Sequence, residues 1–549
     1  MKTPIEYFYG WVEQTPEAPF LRQPFGDDWK VHTFRESFEE AKKIAAGLQA
    51  IGLQPGDHVA ILSRNCCQWI LADLAIMMGG LVSVPLYPTL PPDQIRDILV
   101  HADVKAMFVG KLEKWDESCM PDEVHLIKFP HYAGNAIIPH GMAWEQLLQS
   151  SSGNIEPHMP ELDELWTILY TSGTTGRPKG VMHNYRCPAT IFDLENRFGT
   201  MGMSRLDQYR FFSFLPLNHV AERIAVEMNA LVMGGSISFA ENIDSFVKNV
   251  SSVQPTFFFA VPRIWMKFQS GVIEKVGEKK LQLLMSLPII GGLLRKRIRK
   301  ALGLSDAQIT LTGAAITPLA VKEWFRKLGI TLREVYGMTE ACGPVSLTPY
   351  NGWSSGDVGQ ALPGTEIRVD EASGEIIFRS PHLMSGYYKE SQATADIMRD
   401  GWIYSGDRGR MDDQGNLFVL GRIRDVFKTS KGVFVAPDPI EEEILKSSLV
   451  SQACVLGLGL PQPIALVNVA PNEMNQSTLE TALAAHAIEV NRRLSSHERI
   501  SNIIVCRDLW TEDNKMLTPT LKTRRTAISD HYGDRLNAWQ QSGKPVIFE

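Results

Sequence analysis

The sequence predicts an α/β protein of at least two domains, its larger part built on parallel sheets covered by helices on both faces. Three observations carry this. The chain has 549 residues, more than one compact core accommodates. Apolar residues recur with helical and strand periods in alternation through the first part. Near residue 350 the pattern changes to short alternating strands separated by turn signals.

The elements follow in order. Residues 37–51 set Phe38, Ala41, Ile44, Ala45, Leu48 and Ile51 on one helical face, and Gly52 and Gly56 flank the turn after it. A short strand is expected at 58–62, a helix at 68–78, a strand at 81–85, a helix at 93–101 and a strand at 105–109. The apolar run 69–86 is interrupted by Asp73, Gly79, Gly80 and Pro85, so it reads as a buried helix followed by a strand, not as a membrane span. Strands alternating with helices imply parallel sheets, and ligands of such folds lie at the carboxyl ends of the strands. Residues 374–379 and 416–420 read as strands of the later, strand-rich region. The final ~125 residues mix both types and suffice for a small separate domain.

Composition is that of an ordinary globular protein, with 44% apolar and 21% charged residues. A net charge of −7 gives no overall attraction to nucleic acid, and no nucleic-acid-binding module is recognisable. Seven cysteines without metal-ligand spacing suit a reducing compartment, and Cys66 and Cys67 read as core thiols. The first residues do not resemble a signal peptide. The expectation is therefore a cytoplasmic protein.

The most informative stretch is Thr171, Ser172, Gly173, Thr174, Thr175, Gly176, Arg177, Pro178, Lys179 and Gly180, directly after the apolar run 165–169. Glycines allow close backbone approach to a ligand. Free N–H groups, hydroxyls and a cation together cradle a polyphosphate. The string is not a Walker A loop, because the lysine is followed by glycine and the second glycine by Arg177 and Pro178. A Gly/Thr-rich surface turn is the plain alternative.

This string resembles the signature loop of the adenylate-forming superfamily, which includes acyl-CoA synthetases, luciferases and peptide-synthetase adenylation domains. Further matches follow in the family's order at 215–223, 312–315, 335–340, 404–407 with 421–425, and 517–522. The strings 216–223, 428–432 and 517–522 resemble long-chain fatty acyl-CoA synthetases in particular. The resemblance implies a large N-terminal domain of stacked α/β sheets and a distorted β-barrel, then a small mobile α+β domain, with 1–424 and 425–549 as the two parts and a hinge at Arg424 and Asp425. It implies activation of a fatty acid by ATP with Mg²⁺ to acyl-AMP, followed by transfer to CoA. An acyl-AMP ligase serving a carrier protein, or a non-catalytic nucleotide- or acyl-binding relative, is the alternative.

The resemblance also implies roles. Thr171 to Lys179 hold the terminal phosphates. Gly313, Ala314 and Ala315 wall the adenine pocket, although without the family these small residues would read as a tight helix–strand crossing. Tyr336 and Gly337 lie against adenine, Thr339 faces the α-phosphate, and Glu340 binds Mg²⁺, for which an oxygen ligand is apt. Asp407 accepts the ribose hydroxyls, with Arg422 beside it at ribose or phosphate; a structural ion pair is the other reading of both. Lys522 bridges carboxylate and α-phosphate, and here Leu521 precedes it where many relatives have glycine. His219, near Glu222, is a positioning residue at the mouth of the acyl pocket and not a general base. Phe257, Phe258 and Phe259 fit either a tunnel wall or an ordinary buried strand.

Residues 275–300 stand apart. Lys275, Lys279 and Lys280 precede an uncharged run, 281–294, and Arg295, Lys296, Arg297, Arg299 and Lys300 follow it. The run is too short to span a membrane. It reads first as a packed helical hairpin with a solvated cationic side, and second as a segment lying on the inner membrane surface. Acyl chain length and oligomeric state are not legible in the sequence.

Overall fold

The computed structural model describes residues 1–150, 155–171, 178–447, 449–470, 474–518 and 522–549. The first layer is an eight-stranded sheet. Its strands run, edge to edge, Gly386–Tyr387, Lys179–Asn184, Leu165–Thr171, Val82–Leu86, His58–Ser63, Val104–Gly110, His125–Lys128 and Met142–Ala143. The six from Leu165–Thr171 onward are parallel, and the two at the other edge are antiparallel. The expected alternation is met closely, with helix Phe34–Ala50 before strand His58–Ser63 and helices Cys67–Met78 and Pro92–His101 between successive strands. A capping box sets the start of the first, Thr33 Oγ1 accepting from the Glu36 N–H while the Glu36 carboxylate accepts from the Thr33 N–H. Every residue of Cys67–Met78 is buried, Gln68 and Asp73 included, as a helix apolar on nearly all sides requires.

The second layer joins a four-stranded sheet (Arg210–Ser213, Ser236–Phe239, Pro19–Phe25, Asp28–Thr33) to a five-stranded one (Phe257–Ala260, Ile309–Gly313, Arg333–Met338, Gly343–Leu347, Gln360–Ala361). They meet where the Arg210 N–H donates to Thr256 Oγ1 at 3.0 Å. One large core, from Ile5 to Leu362, holds the apolar side chains of both layers together with the helices between them.

The strand-rich region is a five-stranded antiparallel sheet of Glu366–Val369, Glu375–Arg379, Met398–Arg399, Trp402–Met411 and Leu417–Arg422. It occupies the stretch where the resemblance implies a distorted barrel, and pairing among the described residues leaves its edges unjoined. After a single turn at Ile423–Asp425 comes the smaller C-terminal domain. Its four-stranded sheet (Val450–Leu456, Ile464–Val469, Ile503–Val505, Val546–Phe548) packs against helices Pro437–Ile444, Gln476–Arg493 and Arg525–Gln541 around two cores of its own. All seven cysteines are free and buried. No described helix is long and apolar enough to cross a membrane.

Candidate active site

A cavity of about 1150 Å³ opens between the carboxyl ends of the parallel strands and the small domain. The phosphate-type string enters it from the first layer. Strand Leu165–Thr171 ends at Thr171, and the antiparallel strand Lys179–Asn184 returns, with Thr171 opposite Lys179. The string therefore caps a β-hairpin, unlike the strand-to-helix turn of a Walker loop. Thr171 and Lys179 line the cavity; Ser172, Gly173, Thr174, Thr175 and Gly176 lie outside the described residues. The Lys179 ammonium stands 5.0 Å over the Tyr387 ring.

The second layer supplies the strand Arg333–Met338 and the turn Thr339–Ala341. Gly337, Met338, Thr339 and Glu340 line the cavity. Glycine at 337 has a steric cause, since a Cβ there would stand 1.9 Å from the carbonyl oxygen of Gly343. Glu340 Oε1 accepts from the Tyr387 hydroxyl at 2.7 Å. Two buried histidines pin the turn. His183 Nε2 donates to the Thr339 carbonyl at 2.7 Å, and His382 Nδ1 to the Ala341 carbonyl at 2.8 Å. Sequence reading missed both, as well as Tyr387. Strand alternation put His183 on the same face as the core residue Val181, a legible signal; His382 and Tyr387 carry none.

Gly313, Ala314 and Ala315 divide. Gly313 is a tight crossing, as its residues alone suggested, because a Cβ would meet the Val335 carbonyl oxygen at 2.7 Å. Ala314 lines the cavity and holds a left-handed φ of 64°, a rare conformation for a residue with a Cβ. Ala315 faces solvent and is not part of the lining.

Asp407 and Arg422 are cross-strand partners in the antiparallel pair Trp402–Met411 and Leu417–Arg422. Arg422 Nε lies 2.8 Å from Asp407 Oδ1, and the Tyr336 hydroxyl donates to Oδ2 at 2.7 Å. The ion pair that the sequence left open is thus present. Tyr336 and Asp407 stand just behind the cavity wall, while Arg422 reaches it. Burial and the adjacent Asp407 carboxylate push the Tyr336 phenol well up from its ordinary value, so it remains a donor. Each Asp407 oxygen keeps a second lone pair for a hydroxyl of a ligand.

Lys522 enters from the small domain on a hairpin. The Thr518 N–H donates to the Lys522 carbonyl at 2.8 Å and the Lys522 N–H to Thr518 Oγ1 at 3.0 Å. Pro519, Thr520 and Leu521 are outside the described residues. The Lys522 side chain is exposed to the open volume of the cavity, whose walls surround it. That enclosure, reinforced by the Arg422 guanidinium, lowers its ammonium pKa from 10.5 to about 8.

His219 caps the short helix Val220–Glu222, its Nδ1 accepting from the Ala221 N–H at 3.1 Å. Burial, then the charge of Lys522, lowers its pKa to about 4. The ring is therefore neutral near pH 7, with its proton on Nε2, and is a donor at the cavity wall. Its neighbours turn away: Glu222 accepts from Ser213 Oγ and the Phe214 N–H at 2.8 and 2.9 Å, and burial pushes its carboxyl up to about 8. Arg223 is wholly buried among Asp73, Glu227 and Trp166. Ile224, Phe257, Phe259, Leu311 and Val335 also line the cavity. Phe258 points to the other side of its strand and packs on Trp265 and Phe268, so the aromatic strand has a cavity face and a core face.

Among the described residues no cluster of three or more His, Cys, Asp or Glu is arranged to hold a metal ion. Glu340, on the turn after strand Arg333–Met338, brings a carboxylate to the cavity wall, which fits Mg²⁺, an ion commonly held by one or two carboxylates and the phosphates of a ligand.

Residues 8–388 match the family described as AMP-binding enzyme, and 424–542 match the AMP-binding enzyme C-terminal domain. A probable CoA ligase of Humulus lupulus is 28% identical, covering 99% of this chain and 94% of its own. Long chain acyl-CoA synthetase 2 of Arabidopsis thaliana is 26% identical, with 96% and 91% covered. Among solved structures, the A domain of a carboxylic acid reductase from Segniliparus rugosus superposes with a TM-score of 0.81 at 21% identity, covering 98% of this chain and 94% of that one. o-Succinylbenzoate CoA synthetase from Bacillus subtilis gives 0.75 at 21%, with 95% and 98% covered. With both of its parts matched in order, the chain belongs to the AMP-binding enzyme family.

Proposed function

We propose that this protein is an AMP-forming acid–thiol ligase that condenses a fatty acid with ATP to acyl-adenylate and then transfers the acyl group to CoA. The observation that carries the reading is one cavity lined by both charged and apolar side chains. Lys179, Glu340, Arg422 and Lys522 are among the first, and Ile224, Phe257, Phe259 and Leu311 among the second. A fatty acid needs both: its chain seeks apolar surface, and its carboxylate must meet cations beside a phosphate. The relative named long chain acyl-CoA synthetase spans nearly the whole chain, which favours a fatty over an aryl acid.

The residues take these roles. Lys179 is a point charge for the terminal phosphates. Asp407, oriented by Tyr336 and Arg422, accepts the ribose hydroxyls. Lys522 binds the acid carboxylate and the α-phosphate oxygen together, where negative charge grows in the transition state. His219 Nε2–H orients the same carboxylate. Mg²⁺ at Glu340, when bound with the phosphates, would neutralise charge developing on their oxygens. The two-part division at 424 and 425, with the small domain delivering Lys522, belongs to the same proposal.

ATP–pyrophosphate exchange across acids from acetate to oleate, with benzoates included, tests it. Exchange that rises with chain length, followed by CoA-dependent AMP release, is the expected result. Exchange confined to aryl acids rejects the fatty substrate, and acyl transfer only to a carrier protein rejects CoA.

A further inference from the structure

We propose that the exposed corner between helices Glu278–Ser286 and Pro288–Ala301 is a docking surface for an anionic lipid bilayer. The sequence suggested first that this segment packs as a hairpin with a solvated cationic side. The hairpin exists, and its inner face is packed. Leu281 and Ile298 are buried in a core with Trp265 and Phe268, and Gly291 lies so close to the Met285 carbonyl that a Cβ would stand 2.5 Å from it. The outer face does not fit that reading. Leu283, Leu287, Ile289, Ile290 and Leu293 are 65, 38, 79, 50 and 66% exposed. This is the densest run of exposed large apolar side chains among the described residues. Exposed apolar clusters of this kind mark interaction surfaces.

Charge selects the occupant. From 279 to 305 there are seven Lys and Arg residues and no Asp or Glu, in a chain of net charge −7. Lys279, Lys280, Lys296, Arg297 and Lys300 are exposed beside the apolar corner. The ion pairs of the described residues include none of the seven cations. Leucines and isoleucines ringed by uncompensated cations match an interface of acyl chains below anionic headgroups. Gly291, Gly292 and Pro288 end any continuous span, so the corner dips into the interface without crossing it. The same hairpin packs through Trp265 and Phe268 on Phe258, whose strand neighbours Phe257 and Phe259 line the cavity. The proposal concerns binding, and it stands whether or not the ligase reading does.

The test is co-sedimentation of the full chain with vesicles of phosphatidylcholine, with and without about one-third phosphatidylglycerol, at low and high salt. The parent should bind only the anionic vesicles and be released by salt. Replacing Lys279, Lys280, Lys296 and Arg297 with Gln should weaken binding about fivefold per cation removed, several hundredfold in all. Replacing Leu283, Ile289, Ile290 and Leu293 with Ser should also abolish binding while leaving the circular dichroism and thermal midpoint of the parent. Absence of parental binding overturns the proposal, as does parental binding retained by either variant. Sedimentation equilibrium supplies the remaining outcome: a dimer that both variants dissociate, without vesicle binding, assigns the corner to a second copy of the chain and overturns the lipid reading.

Discussion

Lys522 is the residue where surroundings and chemistry meet most directly. Its free-state pKa of about 8 arises from enclosure and the Arg422 charge, and only the protonated form serves an oxyanion. Since the folded value lies below the ordinary 10.5, the useful charge is full below pH 8 and is lost as pH rises through it. For adenylation, kcat/KM should therefore fall about tenfold per pH unit above that point. Bound triphosphate favours the ammonium, so the limb in kcat should lie higher. A kcat/KM profile flat to pH 9.5 would remove Lys522 from the free enzyme's titration. Lys522→Ala should slow acyl-adenylate formation about 10²-fold or more, the scale of one preorganised donor. It should spare conversion of supplied acyl-adenylate to thioester; equal loss of both steps would contradict the assignment. The places of Lys522 and His219 at the cavity were legible in their strings at 517–522 and 215–223. The setting was not: the Asp407–Arg422 pair depends on strand register, and the pinning of Thr339 by His183 joins residues 156 positions apart.

Among the elements, the two glycines that let strands touch give the sharpest stability test. Gly337→Ala would drive a Cβ against the Gly343 carbonyl, and overpacking of this sort costs about 1–3 kcal/mol. Urea unfolding should show a lower midpoint, and an unchanged midpoint would mean that the strands can separate freely. The hairpin that brings Thr171 opposite Lys179 gives a second. Lys179→Ala should raise the KM for ATP or lower kcat and leave acyl-AMP binding nearly intact, because that ligand lacks the β- and γ-phosphates. Equal weakening of both ligands would relocate the lysine. Elements with a strong period were legible to within a few residues, as with helix Phe34–Ala50 and strand His58–Ser63. Period fails where a short apolar run fits two environments. In the strand Phe257–Ala260, alternate residues face a cavity and a core, and in 281–294 the apolar residues split between a packed face and solvent. Composition cannot divide those faces; tertiary contacts do.

At the scale of the molecule, length and the change of pattern near 350 sufficed to expect two domains, while their mutual placement is set by contacts no local pattern encodes. The small domain puts Lys522 and Leu517 into the cavity wall. On the proposed function, a lysine held there for adenylation would occupy the space beside the carbonyl that a thiol must reach in the second step. If one cavity serves both steps, the small domain has to turn, and the turn Ile423–Asp425 is the short connection about which it can do so. Arg525 ties that turn to the small domain, its guanidinium lying 3.7 Å from Asp425 and 2.9 Å from Asp438. Asp425→Pro fixes φ at the joint and removes the carboxylate from this tie. Thioester formation from supplied acyl-adenylate should slow much more than ATP–pyrophosphate exchange. Asp425→Ala separates the two causes, since it removes the tie and leaves the joint free to rotate. A proline variant with normal overall turnover would show that the domain pivots elsewhere. An alanine variant as impaired as the proline one would assign the effect to the Arg525 contact and not to backbone rotation.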